Sequence, residues 1–280
     1  MLWGTLGAWT ERAARAGGGS VLRSVDLDSS PGRIELEGGR LVGEGVVGSV
    51  LRGVDGDGQQ TEVAICGAEP SREDPRMVWY QIQAWNPVAR QWENPCAAAG
   101  DVVSPRAMAM AGTWDEAGGH HDEPRRMTFA CETGALSKCA LWGYAPWASR
   151  DGRSLADAHQ ACTRMVRADY CGNGQSHTSE GTMIDYYDPL GINQRTTVAS
   201  QGGNPAEASF EAAWTPDGAG CLARTRDGRA LESILRECPG RFQPGTADLG
   251  NGDRCAVQRP DPGVQAAPLR NWSSRPGARW

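Results

Sequence analysis

The chain has 280 residues, 39% of them hydrophobic and only 7% aromatic, and its 37 glycines and 17 prolines follow no repeat. This composition excludes collagen-like and low-complexity proteins, and no stretch approaches the roughly 20 apolar residues that a membrane-spanning helix needs. The net charge is −6, from 34 acidic and 28 basic residues. Because phosphate binding needs a cluster of basic side chains and the sequence contains none, we expect no nucleic-acid partner.

Residues 1–30 are predicted to form a poorly ordered N-terminal arm, because apolar side chains are too few there to support a stable helix. From residue 31 to residue 125 we expect a small β-rich region, whose strands cover residues 33–37, 41–51, 61–66 and 78–85. Asp55 and Asp57 lie in a glycine turn of this region. We interpret that turn as a hairpin rather than a calcium loop, since the residues that follow do not supply the other ligands.

Residues 126–258 are predicted to form a disulfide-rich region, and residues 259–280 a loosely ordered tail. The strongest element is a helix over Ser154–Cys171, with a capping-box pattern at its start and an apolar stripe of Leu155, His159, Cys162, Val166 and Tyr170. Weaker elements are a short helix, a hairpin and a second helix, over residues 135–142, 210–223 and 229–236. The predicted fold class is therefore α+β, with short antiparallel strands around one main disulfide-stapled helix.

Nine cysteines are too many for an ordinary reduced domain of this size, and no two of them form the C-x-x-C pair typical of zinc sites. We therefore predict disulfide bonds and an extracellular or periplasmic location at the cell envelope. The first 20 residues lack the segments of a secretion signal, so we expect the true start to lie upstream. One cysteine must stay unpaired within the chain, and the candidates are Cys66, Cys96, Cys131, Cys139, Cys162, Cys171, Cys221, Cys238 and Cys255.

Helix geometry excludes one disulfide pairing. Cys162 and Cys171 would lie about 13 Å apart along a continuous helix, beyond the roughly 7 Å reach of a disulfide, so each needs a different partner. Spacing alone leaves the remaining connectivity open. Among the open pairings we favour Cys66 with Cys96, Cys131 with Cys139, and a partial link from the main helix to the group Cys221, Cys238 and Cys255.

The densest polar cluster follows the main helix and contains Cys171, His177, Glu180, Asp185 and Asp188. These residue types can form a nucleophile site in which an imidazole activates a thiolate. A helix C-terminus disfavours a thiolate, however, and Cys171 lies at that end. We therefore prefer a disulfide at Cys171, and we keep as the alternative function an envelope enzyme whose candidate catalytic residues are Cys171, His177 and Asp185 or Asp188.

The other candidate sites have simpler interpretations. His120 and His121 lie in an acidic segment with no third ligand at a regular spacing, so we predict a solvated loop and no metal. His159 lies on the apolar stripe, where we expect a partly buried side chain rather than a base. The usual phosphate-loop, nucleophile-elbow and zinc-protease motifs are missing from the sequence, so we expect no cofactor. Carbohydrate binding is a weaker alternative, since we expect core positions for Trp85, Trp92 and Trp147.

Three stretches resemble one known family. They are residues 128–147, residues 210–218, and residues 159–188, which include Ala168, Asp169, Tyr170 and Cys171. They are similar to the ADYC domain family of bacterial secreted and envelope proteins, named after that tetrapeptide, and the likeness extends more thinly over residues 41–273. The resemblance implies a cysteine-rich domain of uncharacterised function behind a leader, and it brings no catalytic assignment.

Together, the cysteine count and the resemblance predict a secreted or envelope-associated module, stabilised by disulfides, with a binding or structural role. The sequence names neither a ligand nor a protein partner for such a module. The envelope enzyme described above is the alternative hypothesis.

Overall fold

The computed structural model describes residues 22–30, 32–56, 58–178, 182–195, 208–260 and 263–274. The chain forms two compact units. The first contains the residues up to Asp115 and the segment His120–Leu141. The second contains Glu116–Gly119 and the residues from Trp142 onward.

Within the described residues, the first unit contains eleven strands and one α-helix. They are β1 (Leu22–Asp26), β2 (Glu35–Glu37), β3 (Arg40–Val42), β4 (Val50–Asp55), β5 (Gln60–Pro70), β6 (Val78–Asn86), β7 (Gln91–Glu93), β8 (Ala107–Ala111), β9 (Thr113–Trp114), β10 (His120–His121), β11 (Arg126–Cys131) and α1 (Ala135–Leu141). A 3-10 turn at Leu27–Ser29 follows β1.

Six of these strands form a closed antiparallel sheet. Their order is β5-β4-β1-β11-β8-β6, and β6 pairs with β5 again, which closes the sheet into a barrel. β7 extends β6 outside the closed ring, while β2–β3 and β9–β10 are separate two-stranded pairs. Closure gives each of the six strands two hydrogen-bonded neighbours, so the ring has no free edge.

The core of the first unit follows from the alternation of side chains along the strands. Val63 and Ile65 on β5 are fully buried, and the cysteine next to them, Cys66, is exposed, as the two-residue period of a strand requires. Tyr80 and Phe129 meet edge to face inside the barrel, with ring centroids 5.9 Å apart. Tight apolar packing of this kind supplies the main stabilisation of a β-rich unit.

Within the described residues, the second unit contains eight strands and two α-helices. They are β12 (Ser149–Arg150), β13 (Arg153–Ser154), α2 (Ala156–Arg167), β14 (Ile184–Tyr187), β15 (Ala208–Thr215), β16 (Gly218–Leu222), α3 (Leu231–Glu237), β17 (Gln243–Pro244), β18 (Val257–Gln258) and β19 (Leu269–Ser274).

An antiparallel sheet of six strands forms the frame of the second unit. Its order is β14-β19-β15-β16-β18-β17, and α2 packs against β15, β16 and β19. Cys162 of the predicted apolar stripe is fully buried, as is Met165, whereas Val166 of that stripe is only half-buried. His159, which the sequence predicts to be partly buried, is almost completely buried.

The predicted α+β fold class is wrong, because the structure is mostly β and contains a closed six-stranded antiparallel barrel. The barrel has its own core and does not surround a central helix. The main helix is present, but it covers Ala156–Arg167 rather than Ser154–Cys171. The sequence pattern could not show closure, because the pairing of β1 with β11 joins residues about a hundred positions apart.

Parts of the predicted arm and tail are ordered strands. β1 and the turn after it lie in the predicted arm, and β19 lies in the predicted tail, where it pairs with β14 and β15. Residues 1–21 and 275–280 lie outside the described residues. None of the helices described is long and apolar enough to cross a membrane.

Candidate functional site

Eight of the nine cysteines are disulfide-bonded, and all nine lie in described segments. Three bridges join Cys96 to Cys131, Cys171 to Cys238, and Cys221 to Cys255. Cys139 and Cys162 are also disulfide-bonded. Cys66 is free and exposed.

Two of the favoured pairings, Cys66–Cys96 and Cys131–Cys139, are wrong. Cys66 points to solvent from β5, whereas Cys96 lies beside the end of β11, with its Cα 5.5 Å from that of Cys131. Barrel pairing thus brings together residues 35 positions apart that proximity in the sequence did not suggest. The exclusion of a Cys162–Cys171 bridge is confirmed, because Cys171 bonds to Cys238.

The tetrapeptide Ala168–Cys171 forms the turn that ends α2. Ala168 takes the left-handed conformation, with φ 52° and ψ 40°, and its N–H donates to Met165 O at 3.0 Å. The N–H of Asp169 donates to Arg164 O at 2.9 Å, so the last carbonyls of the helix are capped by the backbone. Alanine is small enough to occupy this position in a fully buried turn.

The side chain of Asp169 holds the loop that follows. Its carboxylate accepts from the N–H groups of Asn173 and Gly174, at 3.1 and 3.0 Å, and lies 2.6 Å from Arg164 Nη1. Arg164 donates further to the carbonyls of Pro216 and Ala117. Asp169 and Arg164 are both buried, and each is well supplied with hydrogen-bond partners, which a buried ion pair requires.

Tyr170 lies between two rings in the interior of the second unit. Its ring stacks on Trp214, with centroids 5.4 Å apart, and the His177 ring lies 5.5 Å away. The hydroxyl donates to Glu211 at 3.1 Å and accepts from the backbone N–H of Arg226 at 2.7 Å. Burial, reinforced by the Glu211 carboxylate, raises the pKa of Tyr170 well above its ordinary value.

Glu211 and Arg226 form a fully buried ion pair beside this tyrosine. Arg226 donates to both carboxylate oxygens, at 2.9 and 3.1 Å, and also to the carbonyls of Met165 and Val166 at the end of α2. Asn271 donates to Glu211 at 3.0 Å. A cation at a helix C-terminus interacts favourably with the helix dipole. Through these hydrogen bonds the ion pair joins β15, β19 and the end of α2.

Neither Glu211 nor Arg226 was predicted from the sequence as a site residue. One signal was available: Glu211 is a single carboxylate inside the apolar strand FEAAW. A carboxylate in such a strand needs a buried partner.

The residues proposed for a nucleophile site have other partners. Cys171 is bonded to Cys238, and a disulfide sulfur is not a thiolate nucleophile. His177 is buried, with Nδ1 donating to Ala168 O at 3.1 Å and Nε2 lying 2.8 Å from Glu237 Oε2. Asp185 is buried on β14 opposite Trp272.

The last two acids of the predicted cluster have different outcomes. Asp188 accepts from the Tyr144 hydroxyl at 2.8 Å and from the N–H groups of the turn at Leu190, Ile192 and Asn193. It therefore holds this turn in place. Glu180 lies outside the described residues.

The predicted histidine and tryptophan sites lie partly at the surface. His121 Nε2 lies 2.8 Å from Asp115, both exposed, and no group of three or more metal-binding side chains occurs among the residues described. Trp85 and Trp92 face each other across β6 and β7 with centroids 5.6 Å apart, and Trp92 is 36% exposed. Trp147, in the second unit, is half-buried. None of the three tryptophans lies in the buried core, so the expectation is wrong for Trp85 and Trp147, which are half-buried, and for Trp92, which is exposed.

A family model described as the ADYC domain matches residues 43–228. No curated protein and no solved structure matches the chain. The matched segment is more than half of the chain and includes α2, the tetrapeptide and the Glu211–Arg226 pair. The chain therefore belongs to the ADYC domain family.

Proposed function

We propose that the chain is an exported, disulfide-stabilised binding module of the extracellular space or cell envelope. The observation that carries this proposal is the oxidation of eight of the nine cysteines. Disulfides form and persist in oxidising compartments, whereas a reducing cytosol keeps thiols free. The net charge of −6 favours solubility in such a compartment.

The contacts of the tetrapeptide support a structural role for it. Asp169 holds a loop, Tyr170 fills the interior, and Cys171 anchors α3 through Cys238. A ligand would therefore bind at other positions, on the surface that this scaffold supports.

The test is intact mass after alkylation under denaturing, non-reducing conditions, on protein made in an oxidising compartment. We expect one adduct before reduction, at Cys66, and nine after it. The matched control Cys66→Ser should show no adduct before reduction. Several adducts in the wild-type chain would overturn the proposal, and an adduct at Cys171 in the folded protein would instead favour the nucleophile hypothesis.

A further inference from the structure

Arg241 is a half-buried cation whose guanidinium lies beside the glycine that follows the tetrapeptide. Its Nε and Nη2 atoms are buried and have no hydrogen-bond partner within the part of the chain that the structure describes. Arg164 and Arg226, by contrast, each bond a buried carboxylate. Burial lowers the pKa of Arg241, and the charge of nearby Arg259 lowers it further. A guanidinium in this state gains free energy from an anionic partner.

Two glycines lie against this guanidinium. A Cβ at Gly172 or Gly218 would lie 3.2 or 3.1 Å from Arg241 Nη2. Gly172 directly follows the tetrapeptide, and both glycines have positive φ, 68° and 108°, a conformation that other residues rarely adopt. The guanidinium therefore lies against bare backbone at the end of the α2 turn and the start of β16.

The charges around Arg241 add up to a positive excess. The ionic groups that act on it are Arg259, Arg164, Asp217 and Asp169. Asp169 is already bonded to Arg164, and Asp217 lies 3.7 Å from Arg259 with most of its side chain in solvent. Among the residues that the structure describes there, Arg241, Arg259 and Arg164 are three arginines against two aspartates, an excess of one positive charge in a chain of net charge −6.

We propose that Arg241 and Arg259 form a site for an oxyanion, a phosphate, sulfate or carboxylate group. Guanidinium groups bind such oxygens through charge-assisted, often bidentate hydrogen bonds. The inference rests on the binding role proposed above and specifies the charged group of the ligand. Arg259 also donates to Thr215 at 3.4 Å, which places it beside the β15–β16 turn.

The test is a titration of the full oxidised chain with inorganic phosphate at constant ionic strength. The melting temperature is measured at each phosphate concentration. Binding to the native state raises that temperature, and sodium chloride at equal ionic strength should not. Arg241→Gln should weaken phosphate binding at least about tenfold, because a charge-assisted hydrogen bond is lost. The matched control is Arg254→Gln, which removes an exposed arginine paired with Asp248 in the same unit and should keep the response.

A second ligand and a second variant complete the test. A larger response to glycerol 3-phosphate than to inorganic phosphate supports the site with the anion carried on a larger molecule, while equal responses support a free anion. If Arg241→Gln does not fold, Arg259→Gln and the wild-type arginine Nε–H NMR signals give the same information. No response of the wild type to phosphate, glycerol 3-phosphate or acetate, or an unchanged response in Arg241→Gln, overturns the proposal. The alkylation count is independent of all these results, so failure here leaves the proposed location testable by itself.

Discussion

Replacing Glu211 by glutamine tests the buried ion pair that ties β15 to the end of α2. The carboxylate accepts from the Tyr170 hydroxyl, from two nitrogens of Arg226 and from Asn271, and both charged side chains are fully buried. Glutamine keeps the shape, but it leaves the guanidinium without a counter-charge and turns an amide donor toward other donors. Removing one partner of a buried pair costs about 3–5 kcal/mol of unfolding free energy.

Urea unfolding followed by tryptophan fluorescence measures this loss, since Trp214 stacks on Tyr170 beside the pair. With an m-value of about 2 kcal/mol/M, the transition of the second unit should move down by about 2 M urea. The matched control is Asp248→Asn, which breaks an exposed ion pair with Arg254 in the same unit and should leave the midpoint near that of the wild type.

A double variant separates the pair from its surroundings. Glu211→Leu combined with Arg226→Met removes both charges, so it should be less destabilised than the sum of the two single variants. A Glu211→Gln protein that unfolds at the wild-type urea concentration would refute the reasoning. So would a double variant whose loss equals that sum, because the two side chains would then act independently.

Three other predictions concern a bridge, an acid and the tyrosines. Replacing Cys171 and Cys238 together by alanine should lower the free energy of unfolding by about 4 kcal/mol, because the bridge closes a loop of 67 residues. The control Cys66→Ala removes a free cysteine and should cost little. Urea unfolding of both variants measures the two losses, and equal midpoints would contradict the prediction. In the first unit, a hydrogen bond from Arg106 lowers the pKa of Glu132, so the stability from this carboxylate is present above its ordinary pKa of 4.5 and lost as the pH falls through the lower folded value. Glu132→Gln should therefore flatten the acid limb of a stability curve, and an identical limb would count against the pair. Burial raises the pKa of every tyrosine, that of Tyr186 to about 12. The free energy of unfolding should therefore hold below the ordinary tyrosine pKa of about 10 and fall as the pH rises above it, while the native chain shows little phenolate absorption near pH 10. A rise in phenolate absorption already at that pH would show exposed rings among Tyr80, Tyr144, Tyr170, Tyr186 and Tyr187.

Local patterns predicted local elements well and long-range pairing poorly. The apolar stripe correctly predicted a helix at α2, because a helix is stabilised by contacts a few residues apart. Its end was placed four residues too late, at Cys171 instead of Arg167, since Ala168 takes a left-handed conformation that ends the helix. The closed barrel was missed, because strand alternation shows that a strand exists and not which strand lies beside it.

The candidate site was predicted in part for the same reason. The sequence singled out the tetrapeptide and its cysteine, and it correctly excluded a bridge from Cys171 to Cys162. It did not reveal Glu211 and Arg226, because the rule that charges lie on the surface fails for a pair that is desolvated together. Such a pair becomes visible only when the sheet brings its two strands and the helix end into contact.

The tetrapeptide Ala168–Cys171, which is part of the segment that the ADYC family model matches, lies inside the molecule. Ala168 turns the chain, Asp169 and Tyr170 are buried in hydrogen-bonded positions, and Cys171 is cross-linked. Residues in such positions constrain architecture far more than they constrain chemistry at the surface. The motif is therefore a reason to expect the same helix-ending turn wherever it occurs, and two proteins that carry it are free to recognise unrelated molecules.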